Sequence, residues 1–151
     1  MILPRRRFLL LAAGTAGAAL VPVSFAPARA EADEVAALIR ELAGEGTVKA
    51  GKVKLDVPLL VENGNTVATS VVVDAPLTGP GRVASIHIFA DRNPLPKVAA
   101  FHFGPRSGRP QVATRIRLVT SQTVTAVARL ADGSCWKDEV ELLVTLAACL
   151  E

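Results

Sequence analysis

From Gly46 to the end of the chain, apolar residues recur with period two. Val53, Leu55 and Val57 alternate with Lys52, Lys54 and Asp56, and Val67 to Val73 is a run rich in β-branched residues that stops at Asp74-Ala75-Pro76. Val83 to Ala90 and Ala99 to Phe103 flank the turn cluster Asp91-Arg92-Asn93-Pro94. Val112, Thr114, Ile116 and Leu118 alternate with Ala113, Arg115, Arg117 and Val119. Thr123 to Leu130 precedes the turn signal Ala131-Asp132-Gly133, and Val140 to Leu146 follows it. Side chains two apart share a face of a strand, so each segment buries one side and shows the other to solvent. Seven such segments at short, regular spacing predict an all-β domain, an antiparallel β-sandwich of immunoglobulin-like type.

One N-terminal helix is predicted ahead of the strands. Asp33 is placed to cap it, Val35, Leu38, Ile39 and Leu42 form its apolar stripe, and Gly44 stops it. A helix of about ten residues is marginal alone, so that stripe is expected to lie on the sandwich.

The first thirty residues read as an address rather than as part of the fold. Arg5-Arg6-Arg7-Phe8-Leu9-Leu10 follows the twin-arginine pattern, an apolar run reaches about Val23, and Ala28-Arg29-Ala30 offers an A-x-A cleavage site. The run is broken by Gly14, Gly17 and Pro22 and falls short of the ~20 residues that span a bilayer. The expected organisation is a signal peptide at 1–30, a β-sandwich domain at 31–146 and a C-terminal tail at 147–151. Export by this route places the protein in the periplasm. Without the leader's four arginines the chain keeps 13 basic against 14 acidic residues, so the high pI belongs to the leader. No basic surface then argues for nucleic acid or anionic lipid, and no membrane association is expected.

A search for catalytic chemistry returns little. A metal site needs three or four convergent ligands, and the two histidines, His87 and His102, each lie in a strand pointing away from apolar neighbours. They are expected to hydrogen-bond a neighbour or solvent. There is no G-x-S-x-G elbow, and Gly79-Pro80-Gly81 is a turn rather than a phosphate cradle. Arg115 and Arg117 read as a solvated strand face, and Asp138, Glu139 and Glu141 as surface. No catalytic residue, metal or cofactor is predicted.

The two thiols remain. Cys135, in Gly133-Ser134-Cys135-Trp136, reads as a half-buried free cysteine, with a disulfide to Cys149 as the rival. A strand over 140–146 would carry the tail roughly 20 Å from Cys135, which disfavours that bridge. Cys149 follows the last strand through Ala147-Ala148, on what reads as a slim tether.

The chain resembles SoxY, the sulfur-carrying subunit of the bacterial thiosulfate-oxidising system, from about Val48 to Cys149. The resemblance rests on Val61-Glu62-Asn63-Gly64-Asn65-Thr66-Val67, Ser85-Ile86-His87-Ile88, Asn93-Pro94, Val98 to Phe103, Val112 to Leu118, Ala131-Asp132-Gly133-Ser134 and the tail. It implies a carrier and not an enzyme. Sulfur intermediates would be held covalently on Cys149, within a carrier tail of Ala147, Ala148, Leu150 and Glu151. It also implies a heterodimer with a SoxZ-like β-domain subunit. Transient visits would be made to a haem enzyme that conjugates thiosulfate and to a hydrolase that releases sulfate. The family's tail is Gly-Gly-Cys-Gly-Gly, whereas Cys149 here lies between Ala147-Ala148 and Leu150-Glu151. Leu150 adds bulk, and the charge of Glu151 should raise the thiol pKa and repel an anionic adduct. The alternative is a non-carrier SoxY-like interaction module whose cysteine is idle or disulfide-bonded.

Overall fold

The computed structural model describes residues 29–148, with side chains from residue 33 onward. Most of the predicted leader therefore lies outside the described residues, as do Cys149, Leu150 and Glu151. Helix α1 (Arg29–Ala43) leads into nine strands: β1 (Val48–Ala50), β2 (Val53–Asp56), β3 (Leu60–Val61), β4 (Val67–Val73), β5 (Val83–Ala90), β6 (Lys97–His102), β7 (Gln111–Ile116), β8 (Gln122–Leu130) and β9 (Cys135–Val144). They form two sheets. The larger has the order β1-β9-β8-β5-β6, with β3 also on β9, and the smaller is β2-β4-β7. This is the β-sandwich expected, with one short helix.

All seven predicted strands are present, and two very short ones join them. β1 and β3 each pair parallel with β9, at Val48↔Cys135 and Leu60↔Leu143 respectively. Their existence depends on the partner edge rather than on their own two or three residues, so no local periodicity announces them. β9 itself starts at Cys135, five residues before the expected Val140, because Cys135 to Asp138 pair with Arg129 to Ala126 of β8.

Residues 48–61 hug the outer edge of β9. They pair with it as β1, swing into the small sheet as β2, and return as β3. Between the two returns the Leu55 amide donates to Asp138 Oδ2 at 2.8 Å. Asp138 is thus a half-buried tie between the sheets, and not the plain surface carboxylate expected from its charged neighbours. Gly51, at φ 126°, makes the departure from β1 and lies against the Trp136 ring.

Inside the sandwich Val71, Ile86, Ile88, Leu118, Val124 and Leu142 are sealed from solvent. Each such side chain stabilises the fold by about 1.5–3 kcal/mol. The outer face of the large sheet carries a second apolar cluster, in which Val35 and Ala43, with Leu38, Ile39 and Leu42, cover Phe89, Val127 and Cys135. The predicted stripe of α1 is the one that docks. The helix begins at Arg29 rather than at a cap on Asp33. Arg-Ala-Glu-Ala-Asp-Glu is a sequence of mostly good helix formers, with acids in the early turns where the macrodipole favours them. Gly44 ends the helix at φ 61°, its amide bonded to the Arg40 carbonyl.

Covering by α1 buries His87, which is 4% exposed. Its Nε2 lies 3.0 Å from Ser85 Oγ, and its ring stacks near Phe89. The neighbour expected for this histidine is therefore Ser85. Burial, and after it the charges of Lys97, His102 and Arg129, push the His87 pKa from 6.5 down to about 4. Between those values the unfolded chain takes up a proton that the folded ring refuses. The contribution of His87 to stability is thus complete above pH 6.5 and is lost as pH falls through 4. Urea titrations across that range should show the midpoint falling with pH, and less steeply in His87→Gln. Parallel profiles for the two proteins would assign the slope to other groups.

Candidate functional site

The sequence singled out the tail, and the fold shows how the tail leaves the sandwich. β9 runs to Val144, whose amide donates to Ser121 Oγ at 2.9 Å. Thr145 N then donates to the Val61 carbonyl, and Thr145 Oγ1 to that of Glu62. Gly64 N donates to the Leu146 carbonyl at 2.8 Å, Leu118 N to the Gly64 carbonyl at 2.8 Å, and Ala148 N to the Leu118 carbonyl at 3.2 Å. The chain after β9 is therefore laced between the turn at 62–65 and the segment after β7.

Ala147 is exposed, but Ala148 is 6% exposed and hydrogen-bonded. Two residues expected to act as slack are thus held, and the anchored part of the tail extends to Ala148. The physical reason is backbone pairing. Ala148 N and the Leu146 carbonyl satisfy groups of Leu118 and Gly64 that would otherwise be unpaired at the end of the sandwich. Cys149, the predicted attachment residue, is next in the chain and lies outside the described residues, with Leu150 and Glu151.

Gly64 makes this lacing possible. A Cβ built there would collide with the Leu118 carbonyl oxygen and come within 3.0 Å of Ala148 N. In the sequence Gly64 stood out only within Val61 to Val67, one of the motifs that carry the family resemblance. Its role as the seat of the tail is set by partners 54 and 84 residues away in sequence. The turn itself is local: Asn63 Oδ1 accepts from both the backbone and the side-chain nitrogen of Asn65.

A second polar knot stiffens the same end of the sandwich. Asn93 Oδ1 accepts from Val119 N and Gln122 Nε2, and Asn93 Nδ2 donates to the Arg117 carbonyl. Gln122, buried, also accepts from Arg92 N through Oε1. The segments 61–67, 93–94 and 112–118, far apart in the chain, thus meet at the place where the tail departs.

Cys135 lies at the opposite end of β9, fully buried under α1 and free. Burial raises its pKa, which opposes the thiolate that nucleophilic or disulfide chemistry requires. The half-buried cysteine expected from the sequence is in fact sealed, because β9 begins at this residue and the helix covers it. Among the described residues no three His, Cys, Asp or Glu side chains group as metal ligands, and no helix is long and apolar enough to cross a membrane. His102 is exposed and meets His87 edge-on at 5.9 Å. Arg115, Arg117, Glu139 and Glu141 are exposed, as expected.

A small sandwich that buries one cysteine and ties down the chain just before another has the architecture of a protein that presents a group to others. Over residues 38–149 the chain matches the family described as sulfur oxidation protein SoxY. The chain belongs to the SoxY family. Its fold is similar to the sulfur carrier protein SoxY from Chlorobium limicola f thiosulfatophilum, with TM-score 0.64 and 25% identity over 76% of this chain and 99% of that one. The sandwich is shared more widely. The superoxide reductase (neelaredoxin) from Ignicoccus hospitalis matches with TM-score 0.54 at 18% identity, covering 62% of this chain and 80% of that one. A putative superoxide reductase from Thermotoga maritima matches with TM-score 0.54 at 20% identity, covering 68% and 89%. At those identities the likeness is one of fold alone. No curated protein sequence matches the chain. Family and fold together support a carrier role in sulfur oxidation.

The lacing has a direct test. Gly64→Ala should cost about 1–3 kcal/mol, as overpacking against backbone does. It should also speed hydrogen exchange at the Ala148 and Leu118 amides more than at Val127 in the core. Unchanged exchange at Ala148 would show that Gly64 does not hold the tail.

Proposed function

We propose that this chain is a periplasmic carrier subunit in thiosulfate oxidation, with sulfur intermediates bound covalently to Cys149 and shown to partner enzymes. The observation that carries the proposal is the anchoring of the tail as far as Ala148, in a chain of the SoxY family. A cysteine that follows a fixed point in the chain suits a carrier, because its partners would find it at one place. The remaining thiol, Cys135, is sealed and has a raised pKa, which leaves Cys149 for the chemistry.

Family membership implies Sox-system partners. A SoxZ-like β-domain would form the stable heterodimer, while the haem conjugating enzyme and the sulfate-releasing hydrolase would visit the tail in turn. Four exposed leucines adjoin the tail's exit: Leu59, Leu60, Leu143 and Leu146, with Leu60 and Leu143 paired in register. Such an apolar patch suits a protein contact. The chain's own part is to hold and to orient, and the oxidation and hydrolysis belong to the partners. Cleavage after Ala30, within the first turn of α1, would leave Glu31, Asp33 and Glu34 at the start of a helix whose dipole they complement.

The reading as a non-carrier interaction module is favoured by one feature, the Leu150-Glu151 flank in place of two glycines. Intact mass spectrometry separates the two. With thiosulfate and the haem conjugating enzyme supplied, the full chain should gain a sulfur adduct that Cys149→Ser lacks. That variant should keep its stability within about 0.5 kcal/mol, as changes away from packed sites do. Cys135→Ser should retain the adduct and lose stability. An absence of adduct on either cysteine would leave the interaction module as the function.

Export has its own test. Replacing Arg5 and Arg6 with lysine should strand the precursor in the cytoplasm. Normal accumulation of the mature form outside would refute the twin-arginine route.

A further inference from the structure

Helix α1 covers only part of the outer face of the large sheet. Beyond its edge a cleft of about 260 Å³ opens between the helix and strands β5, β6 and β8. Leu38, Leu42 and Phe89 form its apolar walls, and its polar lining is His87, Lys97, Arg129 and Glu41. A water occupies about 30 Å³ of liquid, so there is room for a small hydrated ion.

Three features of this lining point to one kind of occupant. His87 is 96% buried by its 4% exposure, yet its Nδ1 has no hydrogen-bond partner. His87 Nε2 shares a hydrogen bond with Ser85 Oγ; in the tautomer in which the hydroxyl donates, the neutral ring's hydrogen sits on Nδ1 as an unmatched donor. Lys97 and Arg129 are also unpaired. Among the described residues the single ion pair is Lys137 with Glu139, so Glu41 neutralises neither cation within 4 Å. A buried ring nitrogen without a partner is unfavourable, and two cations beside it attract negative charge.

We propose that this cleft binds a small divalent tetrahedral oxyanion, of the sulfate, thiosulfate or phosphate class, through His87 Nδ1–H, Lys97 and Arg129. The site is separate from the carrier tail. Arg129 pairs with Cys135 at the first residue of β9, whereas the tail leaves past the strand's other end. Both cations are exposed and reach the cleft from its rim, while the imidazole lies in the buried sheet face. Glu41, on the helix side, weakens binding, and His102 meets the His87 ring edge-on from β6. Burial first, and the neighbouring cations after it, hold His87 neutral, and an anion beside the ring would oppose both by favouring the imidazolium.

The experiment is an NMR titration of the histidine ring nitrogens in the full chain, with sodium sulfate against sodium chloride at constant ionic strength. Sulfate should produce a saturable, single-site shift at His87, and in saturated protein the ring should titrate at a higher pH. Arg129→Gln and Lys97→Gln should each weaken binding about threefold or more, in the range of a single exposed charge contact. Glu41→Gln should tighten it. Parallel titrations with thiosulfate and phosphate identify the ligand. Tighter thiosulfate binding ties the cleft to sulfur chemistry, and equal affinities define a general oxyanion site. Shifts no larger than those in chloride, or affinity unchanged in both rim variants, would overturn the proposal and leave the cleft to water.

Discussion

The edge of β9 is the constraint on which the sandwich depends. This ten-residue strand lies between β8 and the outside, so its outward backbone groups need partners or would template further strand addition. Residues 48–61 cover that edge at three points: β1 pairs with the first part of the strand, the Leu55 amide donates to the Asp138 side chain in the middle, and β3 pairs with the last part. Because β2 lies between β1 and β3 and belongs to the small sheet, the same stretch that closes the edge also joins the two layers. Loss of the Asp138 carboxylate would orphan a half-buried amide, a defect of about 1–3 kcal/mol at the seam.

Closure of that edge in turn fixes the tail. β3 delivers the chain into the turn at 62–65, where Gly64 N donates to the Leu146 carbonyl and the Gly64 carbonyl accepts from Leu118, whose own carbonyl accepts from Ala148. A carrier tail is usually pictured as slack chain. Here backbone hydrogen bonds take up the slack as far as Ala148, the residue before Cys149. The exposed side chains of Leu59, Leu60, Leu143 and Leu146 lie beside that anchored stretch.

The other face of the large sheet is organised by α1. Where the helix covers the sheet, it buries Phe89, Val127 and Cys135, and the thiol is removed from chemistry. Where it stops, it leaves a half-covered margin in which His87 keeps an unmatched nitrogen among unpaired cations. One helix therefore silences one reactive group and exposes the surroundings of another.

Period-two runs announced the seven long strands, and Val35, Leu38, Ile39 and Leu42 announced the helix face, because both patterns arise within one element. The ordered motifs also made the family legible. Beyond that reach lay β1 and β3, too short to carry a period and defined by the edge they pair with. The role of Asp138 was equally hidden, since its partner, the Leu55 amide, is 83 residues away. Gly64 showed in sequence only as part of a family motif, and the approach of Leu118 and Ala148 made it the seat of the tail. Cys135 read as half-buried, and His87 as bonded to a neighbour or solvent, because strand alternation cannot say whether a helix lies on the outer face. The sequence by itself determined which elements form and which residues point together, since these depend on local sterics and hydrophobic period. The tertiary structure alone decided what each face and edge meets, because burial and hydrogen-bond partners are properties of pairs of elements brought together from distant parts of the chain.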